Sequence, residues 1–207
     1  MKKFITSIFI LTLPFGVFAQ ENNTWQSALG NVSFATDSTW TVSGNGITQI
    51  WSDAVQTDYC SERTEFNGGS FRSGFNIDCR SNPDQKGDLF SWQAVYELKN
   101  ELCPYPWRVP TKQDFIDLDV AFGGTGERMQ QNWERSDKYL DGWRLTFGGS
   151  STSFGSLSSQ YARAFYWSQD GSKSLGNMFF AMVGGVVSPV EIACKSAGFS
   201  LRCVRNP

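Results

Sequence analysis

The chain has 207 residues, of which 40% are hydrophobic and 15% aromatic, and its formal net charge is −2. That length fits one domain with an ample core, and a near-neutral charge without a basic block gives no electrostatic footprint for nucleic-acid binding. The sequence contains no histidine, which excludes Ser-His and Cys-His nucleophile pairs and histidine-ligated zinc.

Residues 1–19 have the layout of a secretory signal peptide. Lysines at positions 2 and 3 precede an apolar run from Phe4 to about Ala19, and Val17 and Ala19 occupy positions −3 and −1 of a cleavage site before Gln20. The run is too short for a stable transmembrane span. We therefore expect residues 20–207 to be exported without a transmembrane segment, to the medium, the periplasm or the outer cell surface.

An early β-hairpin is predicted at residues 40–51. Trp40, Thr41 and Val42 alternate as a strand, residues 43–46 (Ser-Gly-Asn-Gly) supply a turn, and Ile47 to Trp51 form the returning strand. Residues 60–88 are rich in Gly, Ser, Asn and Asp, which predicts an irregular excursion after the hairpin.

A first helix is predicted from Leu89 to about Leu102. Asp88 is placed to cap this helix, and Pro104 ends it because proline cannot continue a helix. The apolar positions recur on one face, as in a helix that packs on a core; they are Phe90, Ala94, Leu98 and Leu102.

The chain is organised around residues 103–111, Cys-Pro-Tyr-Pro-Trp-Arg-Val-Pro-Thr. Three prolines fix their φ angles and remove three backbone donors, so this segment runs extended or as a turn. Thr111 is then an N-cap, and Asp114 can complete a capping box for a second helix that extends to Phe122. Trp107 and Arg108 admit two interpretations, a ligand clamp or a core ring beside a paired structural arginine, and we favour the second.

Regular structure is predicted to fade between Gly123 and Gln160, where residues 148–156 have the composition of a flexible surface loop. Strands then return at residues 165–168, 177–183 and 186–188, with a Gly-Gly turn between the last two.

A final strand is predicted at residues 199–204. Successive side chains of a strand point to opposite faces. One face would carry Phe199, Leu201 and Cys203, and the other would carry Ser200, Arg202 and Val204.

Four of these segments, taken together, resemble the Fibrobacter succinogenes major paralogous domain family. They are residues 87–94, the central Cys-Pro-x-x-Trp-Arg-Val-Pro-Thr, Tyr166-Trp167-Ser168 and the ending at 198–205, and the similarity spans about residues 47–205. The resemblance implies a single domain at 20–207 with the C-type-lectin-like α+β fold of the formylglycine-generating enzymes. That fold has a mainly antiparallel sheet, two helices and long irregular loops. The motif residues with an implied structural role are Trp107, Arg108, Thr111, Trp167 and Arg202.

Export makes disulfides an expected feature, but the spacing of five cysteines does not choose their pairing. The family pattern has a cysteine in both the central motif and the last strand, which implies a Cys103–Cys203 bond. Cys60 and Cys79 flank one Gly-rich stretch and are the second predicted pair. Cys194 is then the odd thiol, either free and buried or displacing one of these partners.

In the lectin-like fold, ligands usually bind at a long loop region, which corresponds here to residues 123–160. Three aromatic residues of this region are Trp133, Tyr139 and Trp143. Aromatic rings stack on sugar faces, so these three residues are the predicted ligand-binding positions. The other interpretation is that they anchor the core or the loop. The sequence gives no catalytic constellation, and we predict no metal and no cofactor.

Three functions are compatible with this sequence. The first is a non-catalytic binding or adhesion module whose partner is a glycan or a surface protein. The second is a structural subunit of a surface or fimbrial assembly. The third is a formylglycine-generating-type oxidase that uses Cys194 and Cys203 as a copper-bound thiol pair. It is the weakest of the three, because the spacing of these two cysteines departs from the expected pattern.

Overall fold

The computed structural model describes residues 24–27, 30–33, 39–57, 87–131, 133–152 and 156–207. Within these ranges the fold is α+β, as expected, with mostly short antiparallel strands and four helices. The predicted signal peptide, Cys60 and Cys79 lie outside the described residues. In chain order the elements are β1 (Thr24–Ser27), β2 (Gly30–Ser33), β3 (Trp40–Gly44), β4 (Ile47–Ala54), β5 (Gln56–Thr57), β6 (Phe90–Ser91), α1 (Trp92–Glu97), α2 (Lys99–Leu102), α3 (Lys112–Ala121), β7 (Gln130–Gln131), α4 (Trp133–Gly142), β8 (Ser150–Ser151), β9 (Leu157–Ser158), β10 (Arg163–Gly171), β11 (Leu175–Met182), β12 (Val186–Cys194), β13 (Gly198–Phe199) and β14 (Arg202–Arg205).

The early hairpin is confirmed and shares a sheet with the last strand. Asn45 and Gly46 both have positive φ, 51° and 79°, which is typical of the type I′ turn that joins twisted antiparallel strands. The sheet has the order β14-β4-β3. Two segments separated by most of the chain therefore lie side by side.

Three long strands and the short β7 form a separate sheet of order β10-β11-β12-β7. The predicted Gly-Gly turn joins β11 to β12, and both Gly184 and Gly185 have the positive φ that favours glycine. Two further small sheets, β1-β2-β5 and β6-β13-β8-β9, complete the described part.

The segment 199–204 separates two hydrophobic clusters. Phe199, Leu201 and Cys203 belong to the first cluster, whereas Val204 belongs to the second. The predicted alternation of faces is therefore confirmed, but both faces are buried. The segment is also not one strand, because β13 ends at Phe199 and β14 begins at Arg202. Ser200, which lies between the two strands, forms an isolated bridge with Tyr166.

The first helix begins later than predicted and is broken. Ser91, not Asp88, is the N-cap, and its side chain accepts a hydrogen bond from the Ala94 N–H at 2.9 Å. Phe90 lies instead in β6, paired with Phe199. The helix is interrupted at Leu98, which separates α1 from α2. The sheet pairing of Phe90 overrides its place in the helical pattern.

Helix α4 was not predicted, since the segment Gly123–Gln160 was expected to lack regular structure. Its sequence, WERSDKYLDG, is mostly polar. Tyr139 is fully buried, and so is Trp143 directly after the helix. A few large aromatic contacts therefore hold a helix whose sequence is mostly polar.

The central segment forms a cross-linked turn. The Cys103–Cys203 disulfide is present, as the family resemblance implied. Arg108 pairs in a bidentate arrangement with Asp114, and the predicted capping box between Thr111 and Asp114 is present. The half-buried Trp107 carries the guanidinium of Arg205 over its ring at 5.0 Å.

Two other motif residues are buried parts of the core. Trp167 donates from Nε1 to the Phe90 carbonyl at 2.7 Å. Arg202 donates from Nε to the Ser52 carbonyl at 2.6 Å and from Nη1 to the Trp143 carbonyl, and its guanidinium lies 4.5 Å from the Trp143 ring. Burial lowers the pKa of Arg202 to about 10.

Within the described ranges, none of the helices has both the length and the apolar character needed to cross a bilayer.

Candidate ligand-binding cleft

The aromatic residues predicted to bind a ligand do not form an exposed site. Tyr139 and Trp143 are completely buried in the second hydrophobic cluster. The Tyr139 hydroxyl donates to the buried Asp119 carboxylate at 2.7 Å, and burial raises the pKa of Tyr139 well above its usual value. These two rings leave no face for a sugar, so the core-anchoring interpretation fits them. The side chain of Trp133 lies outside the described part.

A cleft of about 470 Å³ opens elsewhere, between α1, the end of β10 and the turn that follows β12. One side is aromatic, and the remainder carries amide, carboxylate, hydroxyl and ammonium groups. The lining residues are Trp92, Gln93, Tyr96, Gln169, Asp170, Gly171, Ser172 and Lys195.

The aromatic side of the cleft is a stacked pair at positions i and i+4 of α1. The rings of Trp92 and Tyr96 lie 4.9 Å apart with an interplanar angle of 16°. Trp92 is 5% exposed, whereas Tyr96 is 47% exposed. Tyr96 is therefore the ring that a ligand can reach, and Trp92 supports it from below.

Trp92 is fixed from several directions. Its Nε1 donates to the carbonyls of Ser168 and Asp170 at 3.1 and 3.0 Å. Gly176 allows the indole to approach the β11 backbone, because a Cβ there would lie 2.4 Å from Trp92 Cδ1. The aromatic wall is rigid at its base for this reason.

The polar side of the cleft contains one ammonium and one carboxylate. Lys195 Nζ lies 3.5 Å from the centroid of the Trp92 ring, and burial lowers the pKa of this lysine. Asp170 Oδ2 accepts a hydrogen bond of 2.5 Å from the Lys112 N–H at the start of α3. The Gln169 N–H donates to the Pro110 carbonyl at 2.8 Å, so the rim of the cleft is joined to the central turn.

These groups suit the recognition of a small polar molecule with flat apolar faces. An exposed tyrosine ring offers a stacking surface, and amides, a carboxylate and an ammonium exchange hydrogen bonds with hydroxyl groups. Nowhere in the described part does a group of three or more Cys, Asp or Glu residues lie close enough to hold a metal ion.

The aromatic side of this cleft can be recognised in the sequence, although neither of its two rings is among the predicted ligand-binding positions. Trp92 and Tyr96 are four residues apart, so a helix places them next to each other. The periodicity used to predict the first helix belongs to its other face, which points into the core. Lys195 gave no signal, because its position depends on the pairing of β12 with β11.

A second cleft, of about 350 Å³, is mostly apolar. Phe165, Met178 and Phe180 form its floor, and Met129 and an Arg128–Glu191 ion pair border it. Met129 is 60% exposed. This cleft offers few polar groups to orient a small ligand.

The cysteine pair proposed for oxidase chemistry is not formed. Cys203 is bonded to Cys103, so it has no thiol to share with Cys194. Cys194 is exposed, not buried, and forms no disulfide with the other described cysteines.

Comparisons with known proteins identify a family and nothing more specific. The chain gave no significant match among curated proteins or among solved structures. The family model described as the Fibrobacter succinogenes major domain matches residues 36–205. This match covers most of the chain and includes the central turn, the described cleft and the last strand, so the protein belongs to the Fibrobacter succinogenes major domain family.

Proposed function

We propose that the protein is an exported, non-catalytic binding or adhesion module of a bacterial cell surface or secretome, and that it recognises a glycan in the cleft beside Tyr96. The observation that carries this proposal is a half-exposed tyrosine ring, rigidly backed by Trp92 and surrounded by amide, carboxylate and ammonium groups. Export is supported by the layout of residues 1–19 and by the Cys103–Cys203 bond.

We further propose that the fold is C-type-lectin-like. The support is the α+β composition and the pairing of β14 with β4, which brings the early hairpin and the last strand into one sheet. A lectin-like domain presents its binding surface on loops and short elements over a fixed core. The cleft fits that organisation, since α1 and the β10–β11 connection build its walls.

A glycan array with the purified, disulfide-bonded protein tests the function. We expect binding, and we expect Tyr96→Ala to reduce the affinity at least about tenfold because the exposed stacking surface is lost. Tyr96→Phe keeps the ring and should keep most of the affinity. Tyr105→Ala is the matched control, since Tyr105 is 97% exposed on the central turn and outside the cleft.

Two outcomes count against the proposal. A blank array with folded protein would remove glycan recognition. Binding that is unchanged in Tyr96→Ala would move the site away from this cleft. Near-ultraviolet circular dichroism of each variant checks that the aromatic core is intact.

The apolar cleft favours a second candidate, a structural subunit of a surface assembly. Exposed apolar surface bordered by an ion pair is common where protein subunits meet. Sedimentation velocity over a range of concentrations tests self-assembly. Association that Met129→Lys abolishes and Tyr161→Lys leaves intact would support this function, and a monomer at every concentration would oppose it.

A further inference from the structure

We infer that the cleft selects an acidic saccharide, whose carboxylate or sulfate group is held by Lys195. This inference rests on the proposed function and specifies the ligand class for the same site.

The ammonium of Lys195 is held in place but not neutralised. It lies over the Trp92 ring at 3.5 Å, and none of the ion pairs among the described residues includes it. A cation–π contact is weaker than a charge-assisted hydrogen bond to an anion. Burial also lowers the pKa of Lys195, and an anionic ligand group would oppose that effect. The ammonium is therefore positioned to bind an anion.

Asp170, which lines the cleft, and Glu97 at the end of α1 both accept hydrogen bonds from neutral donors. Asp170 Oδ2 accepts from the Lys112 N–H, at the positive end of the ten-residue helix α3. Glu97 Oε1 accepts from Gln93 Nε2 at 2.5 Å. These contacts hold both carboxylates in hydrogen bonds that do not involve Lys195.

A second ammonium lies close to the exposed ring. Lys99 Nζ is 5.4 Å from the centroid of the Tyr96 ring, and no ion pair within the described ranges includes Lys99. Each aromatic ring of the cleft therefore has one lysine beside it. Both lysines add positive charge around the rings of the cleft, and this charge favours an acidic ligand substituent over a hydroxyl.

The test compares acidic glycans with the same glycans after their charge has been removed. An array carries uronate oligosaccharides with their methyl esters, and sulfated oligosaccharides with their desulfated forms. Titration calorimetry then measures the affinity of each glycan that binds. We expect the acidic member of a pair to bind at least about tenfold more tightly, and higher salt to weaken its binding. The two kinds of pair separate carboxylate recognition from sulfate recognition.

Lys195→Gln is the decisive variant, because it removes the charge while the Lys195 carbonyl still accepts from the Trp92 N–H. We expect it to abolish the preference for the acidic member of each pair. Lys173→Gln removes one positive charge from the nearby β10–β11 connection but not from the lining of the cleft, and it should leave the preference unchanged.

The outcomes separate the two proposals. If neutral glycans bind as tightly as acidic ones, or if Lys195→Gln keeps the acidic preference, the inference is wrong while glycan recognition stands. If no glycan binds, both proposals fail. Equal losses in Lys195→Gln and Lys173→Gln would indicate general charge attraction, and would also overturn the role given to Lys195.

Discussion

Arg108 and Asp114 form a two-bond ion pair across the start of α3. Arg108 Nη1 and Nη2 donate to Asp114 Oδ2 and Oδ1 at 2.5 and 2.7 Å. The same carboxylate accepts from the Thr111 N–H and hydroxyl at 2.7 and 2.6 Å. One side chain therefore caps the helix and ties the central turn to it.

We expect Asp114→Asn to lower the free energy of unfolding by about 2 kcal/mol, because both the cap and the ion pair are weakened. Arg108→Ala should cost less, about 1 kcal/mol, since its side chain is 41% exposed and Asp114 still caps the helix. Urea denaturation measures both variants. The control is Arg128, whose side chain is 63% exposed in its pair with Glu191, and Arg128→Ala should lower the unfolding midpoint less than Arg108→Ala does. A larger loss in Arg108→Ala than in Asp114→Asn would contradict this division of roles.

The same carboxylate predicts a dependence of stability on acid pH. Burial alone would raise the pKa of Asp114, but hydrogen bonds from Arg108 and Thr111 outweigh it and bring the pKa below 3.8. A carboxyl whose pKa is lowered by folding gives its full stabilisation above the unfolded pKa, and this is lost as the pH falls through the folded pKa. We therefore expect the unfolding midpoint of the wild type to decrease as the pH is lowered below about 4. Asp114→Asn should show a smaller fall over the same range, and parallel curves would refute the assignment.

The Cys103–Cys203 bond closes a loop with a sequence separation of 100 residues. On the chain-entropy model its removal should cost about 4–5 kcal/mol. Guanidinium unfolding of the Cys103→Ala, Cys203→Ala double variant measures that loss. The control is Cys194→Ala, where we expect little change because this side chain is exposed. A double variant as stable as the wild type would mean that the two clusters hold the last strand without the bond.

Arg202 offers a test of a buried cation in the core. Arg202→Met removes the donors to the carbonyls of Ser52 and Trp143, and we expect a loss of about 2 kcal/mol in thermal or chemical unfolding. The near-ultraviolet signal of Trp143 should change as well, because the guanidinium lies over its ring. A more stable variant would show that burial of the cation costs more than its hydrogen bonds return.

The parts of the fold that were predicted correctly depend on local chemistry. The Asn-Gly turn, the Thr111 capping box and the Gly-Gly turn each require particular residues at adjacent positions, and such signals can be recognised in a single sequence. The disulfide depended instead on the family pattern, because its two cysteines are far apart in the chain.

The errors arose where distant contacts decide the structure. Phe90 fitted the helical pattern but pairs with Phe199 in a sheet. The polar sequence of α4 concealed a helix that buried aromatic rings hold in place. The cleft as a whole depends on distant contacts too, since α1, β10 and Lys195 meet only after the strands have paired.

At the rim of the cleft, a backbone hydrogen bond fixes the shape independently of the side chains that would contact a ligand. The Gln169 N–H bond to the Pro110 carbonyl involves backbone atoms alone, so any residue except proline at position 169 can form it. Substitutions at Gln93 or Tyr96 leave that bond untouched, because these side chains line the cleft and take no part in it. Such a chain can evolve new ligand preferences by exchanging a few side chains of the cleft, while the central turn keeps the backbone geometry of the cleft unchanged.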